Sequence, residues 1–329
     1  MKKILHICAG WDKWNGAANI ARMIMGEQRR EGHEVSSDTW AGVGRLRAAD
    51  EVWIHCGWLP CLWWAALWGR NVHWMPEACY DPVRLKYHGW KKWLAGPIER
   101  FCLRRAKALV ATCEAEREWI EAYLGGRCPP VEVTDVKRFF DFSHVEQVGT
   151  CREGERVNHV EQVGACREGE GGGRVDGELH VLYLGRRHPL KGVEYLEAAV
   201  RQIKETSASL RLCARIISNA FGEELEKVWE WCDVLVLPTL SENFGLVVAE
   251  ALERGKRVVT TDGAPAWEEE CKVKGEKLNA ESGRHGVVGN MEMSLGHGGR
   301  LIYLKGYRDG SDEKRVALLG EAIRLCGSL

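Results

Sequence analysis

Val234-Leu-Val-Leu-Pro238-Thr-Leu-Ser241-Glu242-Asn243-Phe244-Gly245-Leu246-Val-Val-Ala-Glu250-Ala251 is the stretch whose reading decides the fold. Its opening run of branched apolar residues reads as a strand buried on both faces, the habit of a parallel sheet. A short loop then leads to a helix expected to begin near Phe244, whose first-turn N–H groups form an anion site. Asn243, Phe244, Gly245 and Leu246 are thus candidates for holding a diphosphate. Glu242 stands in the loop, and Glu250 follows about two helical turns on, so both carboxylates can face one elongated ligand. The ordinary reading makes Glu242 a helix-start acid and Glu250 a solvated one.

Working outward, strand and helix patterns alternate. Strands are expected at Ile4–Cys8, Glu51–His55, Asn71–Trp74 and Ala108–Thr112, with another at Gly32–Val35. Helices are expected at Ala17–Arg30, Leu62–Trp68, Ile98–Ala106 and Ala115–Leu124. The alternation restarts with strands at His180–Leu184, Leu210–Ile217, Val234–Leu237 and Arg257–Thr261, and helices at Val193–Lys204 and Leu246–Arg254. Such alternation implies an α/β protein with parallel sheets covered by helices, binding ligands beyond the carboxyl ends of the strands. Between the halves, His144–Gly149 returns as His159–Gly164 and Cys151–Glu155 as Cys166–Glu170, the second copy ending in three glycines. Two short polar copies bury no core, so the segment reads as a flexible insert.

Composition sets the outer limits. The 329 residues hold 46 Lys+Arg against 47 Asp+Glu, a formal charge of −1, which argues against a dedicated nucleic-acid binder. The 13 cysteines include no Cys-x-x-Cys pair, so no zinc site is readable and reduced thiols are expected. The longest uncharged stretch, Val52–Gly69, is interrupted by His55, Gly57 and Pro60, against a membrane-spanning helix.

Glu242 and Glu250 resemble the Glu-x7-Glu motif of family 4 retaining glycosyltransferases. Gly185-Arg186…Lys191-Gly192 is similar to the family's segment whose Arg and Lys hold the donor diphosphate, and Thr261-Asp262-Gly263-Ala264-Pro265 to its small-residue turn. The resemblance implies a GT-B fold: two facing Rossmann-like domains with a cleft between them. It also implies a nucleotide-sugar donor, no metal and no cofactor. The domains read as 1–142, an acceptor-side domain; 143–175, the repeat linker; 176–306, the donor domain; and 307–329, a terminal helix placed to pack back on the first. Arg186 and Lys191 are expected to stabilise the leaving diphosphate, Glu242 to position the sugar, and Glu250 to bind ribose hydroxyls. The competing reading for Arg186 and Lys191 is a solvated surface pair.

In the first half, Gly16 follows a loop similar to the family's glycine-rich loop, with Asn15 where a second glycine is usual; lacking a Cβ, Gly16 lets backbone approach a phosphate. His73, Glu77 and Asp81 follow or end the third parallel strand and are candidates to face sugar and acceptor, although a lone strand histidine is more often a satisfied core residue. From Arg84 to Lys107 eight basic residues, opposed only by Glu99, interleave with Tyr87, Trp90 and Trp93. Arg84, Lys86, Trp90, Lys91, Lys92 and Trp93 suit an anionic membrane surface or a phosphorylated glycolipid; the commoner meaning of such a run is a solvated helix face. The reading is therefore a hexose transfer onto a saccharide or glycolipid, as in a lipopolysaccharide core, peripheral on the inner face of the cytoplasmic membrane. A catalytically silent carbohydrate- or membrane-binding adaptor and a cytosolic synthase of a soluble glycoside are the rivals.

Overall fold

The computed structural model describes residues 1–11, 16–87, 89–139, 160–163, 177–207, 210–218, 220, 222–272, 292–296 and 300–328. The chain divides into two compact units, Met1–Asp141 and Phe142–Leu329.

In the first unit β1 (Lys3–Cys8), β2 (Glu34–Asp38), β3 (Glu51–His55), β4 (Val72–Met75), β5 (Ala108–Ala111) and β6 (Val131–Val133) form a parallel sheet in the order β2-β1-β3-β4-β5-β6. Every residue from Ile4 to Cys8 of β1 and all of β5 are buried, as expected of strands covered on both faces. Helix α1 (Gly16–Arg30) buries Ala21, Ile24, Met25 and Gln28 on one stripe, which carries the Gln28 amide to the sheet. Two short helices follow: α2 (Val43–Ala48), which buries only Leu46 and so leaves no readable period, and α3 (Pro60–Trp68). After β4 come α4 (Pro82–Tyr87), α5 (Gly89–Leu103) and α6 (Glu114–Leu124). Helix α5 starts well before Ile98 and runs through Gly96-Pro97, a pair that reads as a breaker in sequence.

The second unit holds β7 (Val160–Val163), β8 (Leu179–Leu184), β9 (Leu212–Ile217), β10 (Val234–Leu237), β11 (Arg257–Thr261), β12 (Glu292–Gly296) and β13 (Leu301–Lys305), in the order β12-β13-β11-β10-β8-β9-β7. The edge strands β12 and β7 are antiparallel to their neighbours and the rest are parallel. Its helices are α7 (Val193–Thr206), α8 (Glu223–Trp231), α9 (Leu246–Glu253), α10 (Glu268–Lys272) and α11 (Asp312–Ser328).

Three expectations change here. Within the segment read as a flexible insert, Val160–Val163 pairs with Ala214–Ile217 of β9. An edge strand is held by backbone hydrogen bonds, which a polar repeat supplies as well as an apolar run does. The remainder of 143–175 lies outside the described residues. The terminal helix, expected to return to the first domain, packs on α7 and β11 of the second unit, where Arg257 donates to the Cys326 carbonyl. Ten described cysteines are free, as expected of reduced thiols, but Cys213 is disulfide-bonded.

Candidate active site

At the carboxyl edge of the second sheet, the ends of β8, β10 and β11 are drawn together by backbone contacts. The Leu190 carbonyl, just after β8, accepts from Leu240 N–H at 2.9 Å and from Thr239 Oγ1 at 3.0 Å. Beyond β11 the Gly263 carbonyl accepts from Glu242 N–H at 2.8 Å. Only glycine fits at two of these crossings: a Cβ on Gly192 (φ +63°) would lie 2.1 Å from the Pro238 oxygen, and one on Gly263 2.1 Å from the Thr239 oxygen.

This closure places Lys191 and Glu242, 51 positions apart, in a partly exposed ion pair. The second Glu242 oxygen accepts from Asn243 N–H at 3.1 Å. Gly245 is left-handed (φ 71°) and α9 begins at Leu246, two residues later than the sequence suggests. Phe244 is therefore not a helix start; it is buried with its ring 5.1 Å from that of Trp267. Arg186 is exposed and makes no ion pair with a described residue, while Tyr183 Oη donates to its carbonyl at 2.9 Å and fixes the turn. Glu250 is not a solvated acid: burial pushes its carboxyl up to about 7 against the pull of Arg254. Asp262 accepts from Gly306 N–H at 2.8 Å and Arg308 N–H at 2.9 Å, tying the small-residue turn to the end of β13.

The first sheet's edge is built differently. Gln28, His6, His55 and Glu77, all buried, form a chain: Gln28 Oε1 to His6 Nε2 2.8 Å, His6 Nδ1 to His55 Nε2 3.0 Å, and His55 Nδ1 to Glu77 Oε1 3.2 Å. Burial lowers both histidines to about 3, so both rings are neutral. With the Gln28 oxygen accepting from His6 Nε2–H, His6 Nδ1 must accept from His55 Nε2–H, and His55 Nδ1 then needs a proton from Glu77. Burial, with Glu116 nearby, raises the Glu77 carboxyl well above its ordinary value, the direction such a donor requires. Glu116 is occupied in turn by the backbone N–H groups of Ala78 and Thr112 and by the Thr112 hydroxyl. Cys56 and Trp58 after β3, and Glu77 and Ala78 after β4, all have positive φ, a clustering of local strain typical of functional edges.

Glu77 and Asp81 therefore lie beyond β4 as the sequence suggests, but both are buried, and Asp81 Oδ1 accepts from Val83 N–H at the start of α4. His73 is not brought to this edge. It sits within β4 opposite Trp53, which faces His6 on β1, and the Trp53 and His73 rings stack at 4.9 Å. Gly16 opens α1 with free space where a Cβ would go, and the loop before it lies outside the described residues. Sequence reasoning passed over Gln28, His6 and His55; a histidine in each of two adjacent apolar strands was the available signal.

The basic stretch splits in two. Arg84 Nη1 donates to the Glu77 carbonyl at 3.5 Å, and Lys92 Nζ donates to the Arg84 carbonyl at 2.9 Å while lying 5.2 Å from the Trp58 ring centre, so both lie against the fold. Lys86, Trp90, Lys91 and Trp93 are exposed. Glu99 is buried, accepting from Trp58 N–H, Tyr80 Oη and Trp63 Nε1, so it offsets none of the surface charge.

Residues 37–136 match the family described as "Glycosyl transferase 4-like domain", and residues 178–281 match "Glycosyl transferases group 1". The two matches span more than half of the chain, which belongs to the family 4-like glycosyltransferases. A stretch of 108 residues is 31% identical to an uncharacterized glycosyltransferase of Methanocaldococcus jannaschii; it covers 26% of this chain and 28% of that relative. Among solved structures, WaaG, a glycosyltransferase involved in lipopolysaccharide biosynthesis, is similar with a TM-score of 0.56 at 12% identity over 99% of this chain and 90% of that one. Sucrose-phosphate synthase from Thermosynechococcus elongatus is similar with a TM-score of 0.51 at 13% identity over 79% and 81%. The fold is that of the GT-B glycosyltransferases.

Proposed function

We propose that the protein is a retaining, metal-independent glycosyltransferase that moves a hexose from a nucleotide diphosphate sugar to a saccharide or glycolipid acceptor in cell-envelope, lipopolysaccharide-like glycan synthesis. The observation that carries this reading is the Lys191–Glu242 pair, assembled beside the start of α9 by glycines that admit backbone contact. A departing nucleoside diphosphate accumulates negative charge; Lys191, Arg186 and the first turn of α9 from Leu246 are the groups that would stabilise it. In the free protein Lys191 is paired with Glu242. A bound diphosphate competes for that ammonium and releases Glu242 to accept hydrogen bonds from the sugar hydroxyls. Glu250, on the second turn of α9, is the candidate for the ribose hydroxyls, which as donors to a carboxylate would favour its ionised form. Retention through same-face attack is what membership of the family suggests.

A glycolipid acceptor and a place at the cytoplasmic membrane surface belong to the same proposal, supported by the exposed indoles and cations of α5. Among the described residues no helix is long and apolar enough to cross a membrane. The test is a thermal-shift screen of nucleotide sugars followed by transfer of labelled hexose from the stabilising donor. A donor that stabilises wild type but not Lys191→Ala supports the reading; absence of stabilisation by every nucleotide sugar would refute it.

A further inference from the structure

Helix α5 is amphipathic in the unusual sense. Gly96, Glu99, Cys102 and Leu103 are buried, while Trp90 (72% exposed), Trp93 (81%), Leu94 (68%), Ile98 (50%) and Phe101 (56%) stand outward. Their spacing of three and four residues makes one continuous apolar stripe. Five large side chains held in water on one face mark an interaction surface.

The stripe ends at a pocket. Arg105, just beyond α5, lies with its guanidinium 5.9 Å from the Phe101 ring centre. It lines a surface pocket of about 630 Å³ with Leu67, Trp68, Gly69, Arg47 and Arg70. Arg47 in turn lies 5.1 Å from the Trp68 ring centre. The lining contains no acid, and none of the three guanidinium groups is ion-paired to a described residue. Gly69 and Arg70 precede β4 and Arg105 precedes β5, so the pocket lies at the amino edge of the first sheet, opposite the edge that carries Glu77.

Three arginines around one pocket with no acid in its lining are suited to phosphate oxygens, which guanidinium forks can grip in pairs. A free phosphate would leave the adjoining stripe without a purpose. A phosphate attached to a bilayer uses both, since indole and phenyl rings settle at the level of the headgroups. We infer that the Arg47–Arg70–Arg105 pocket seats the phosphate headgroup of an anionic phospholipid while the outward stripe of α5 lies in the bilayer interface. The inference rests on the membrane part of the proposed function and assigns it a specific site.

The test is co-sedimentation of the full chain with phosphatidylcholine vesicles, with and without phosphatidic acid. Wild type should bind the phosphatidic acid vesicles, and Arg47→Gln/Arg70→Gln/Arg105→Gln should bind them about a hundredfold more weakly, the sum expected for three cations at an anionic surface. Trp90→Ser/Trp93→Ser should lose binding to both kinds of vesicle. Far-UV circular dichroism and a melting temperature unchanged from wild type certify that each variant is folded, a check made on the whole chain because these residues lie in the first unit and the donor site in the second. Equal binding of wild type and the triple variant to phosphatidic acid would overturn the pocket while leaving the membrane reading intact. Absence of any vesicle binding would overturn both. Stabilisation by inorganic phosphate that the triple variant loses, without vesicle binding, would assign the pocket to a free anion instead. A wild-type dimer dissolved by the tryptophan variant would assign the stripe to a second copy, overturning the inference.

Discussion

The carboxyl edges of the two sheets both present acids, in opposite electrostatic settings. Beyond β4, Glu77 is buried, its carboxyl raised well above the ordinary value, and joined through two neutral histidines to Gln28. Beyond β10, Glu242 is partly exposed and paired with Lys191 among backbone turns closed by glycine. A sealed neutral chain cannot answer a large change in ligand charge without first being desolvated or protonated differently, whereas a half-exposed ion pair can exchange one partner for an incoming anion. The contrast favours the second edge as the diphosphate site and gives the first a structural part in holding a strained loop after β4.

The largest effect that would break this comparison is on turnover. Lys191→Ala should lower it roughly a hundredfold or more, the scale of one preorganised charge-stabilising group. Glu242→Gln should also slow transfer, and mass spectrometry should find no hexose attached to Glu242 in the wild type. Near-normal turnover in Lys191→Ala would remove the charge argument from the second edge.

Acidification probes the first edge. Folded His6 and His55 stay neutral down to about 3, whereas the unfolded rings protonate near 6.5. The unfolded state therefore binds more protons over that window, and stability falls as pH drops. From pH 7 to pH 5 the loss is about 2 kcal/mol per ring. Glu77 acts in the opposite sense, its raised pKa making the folded state relatively more stable at low pH. Comparing urea unfolding of wild type and His55→Gln at both pH values isolates the histidine contribution. An identical pH dependence in the two proteins would show that His55 is not buried as a neutral ring.

Glu250 joins the two kinds of setting, being desolvated like Glu77 yet placed on the donor side. Its pKa near 7 means that stability is lost as pH rises from the ordinary carboxylate range through neutrality. Glu250→Gln should therefore be the more stable protein above pH 7 by thermal melting. The same variant should bind the nucleoside diphosphate more weakly by about 1–3 kcal/mol in calorimetry. Unchanged affinity would end its assignment to the ribose.

Gly16→Ala has the smallest expected effect on folding. Open space receives the new Cβ, so unfolding free energy should stay within about 1 kcal/mol of wild type. A fall in nucleotide affinity without a change in stability would place Gly16 against the phosphates. An unchanged affinity would leave the nucleotide's phosphates to the second edge alone.

The sequence by itself determined the alternation of strands and helices, because burial on both faces writes a short apolar core into each strand: Val52–Ile54 within Glu51–His55, the whole of Val234–Leu237, and Val258–Val259 within Arg257–Thr261 mark strands with the ends expected of them. It also determined the acids, cations and glycines of the second edge, since those residues cluster within short local motifs. Elements held mainly by backbone pairing or by one anchor, such as β7 and α2, left no side-chain period to read. Helix α5 was misplaced because its apolar stripe faces outward, so that hydrophobic pattern marked a surface rather than a core. Only the tertiary structure decided which partners meet. Lys191 reaches Glu242, and Gln28, His6, His55 and Glu77 make one chain, because strand order and register bring distant positions side by side. The titration of Glu77 was likewise decided there, since burial, with Glu116 nearby, raises its carboxyl well above the ordinary value and nothing in its local sequence announces that.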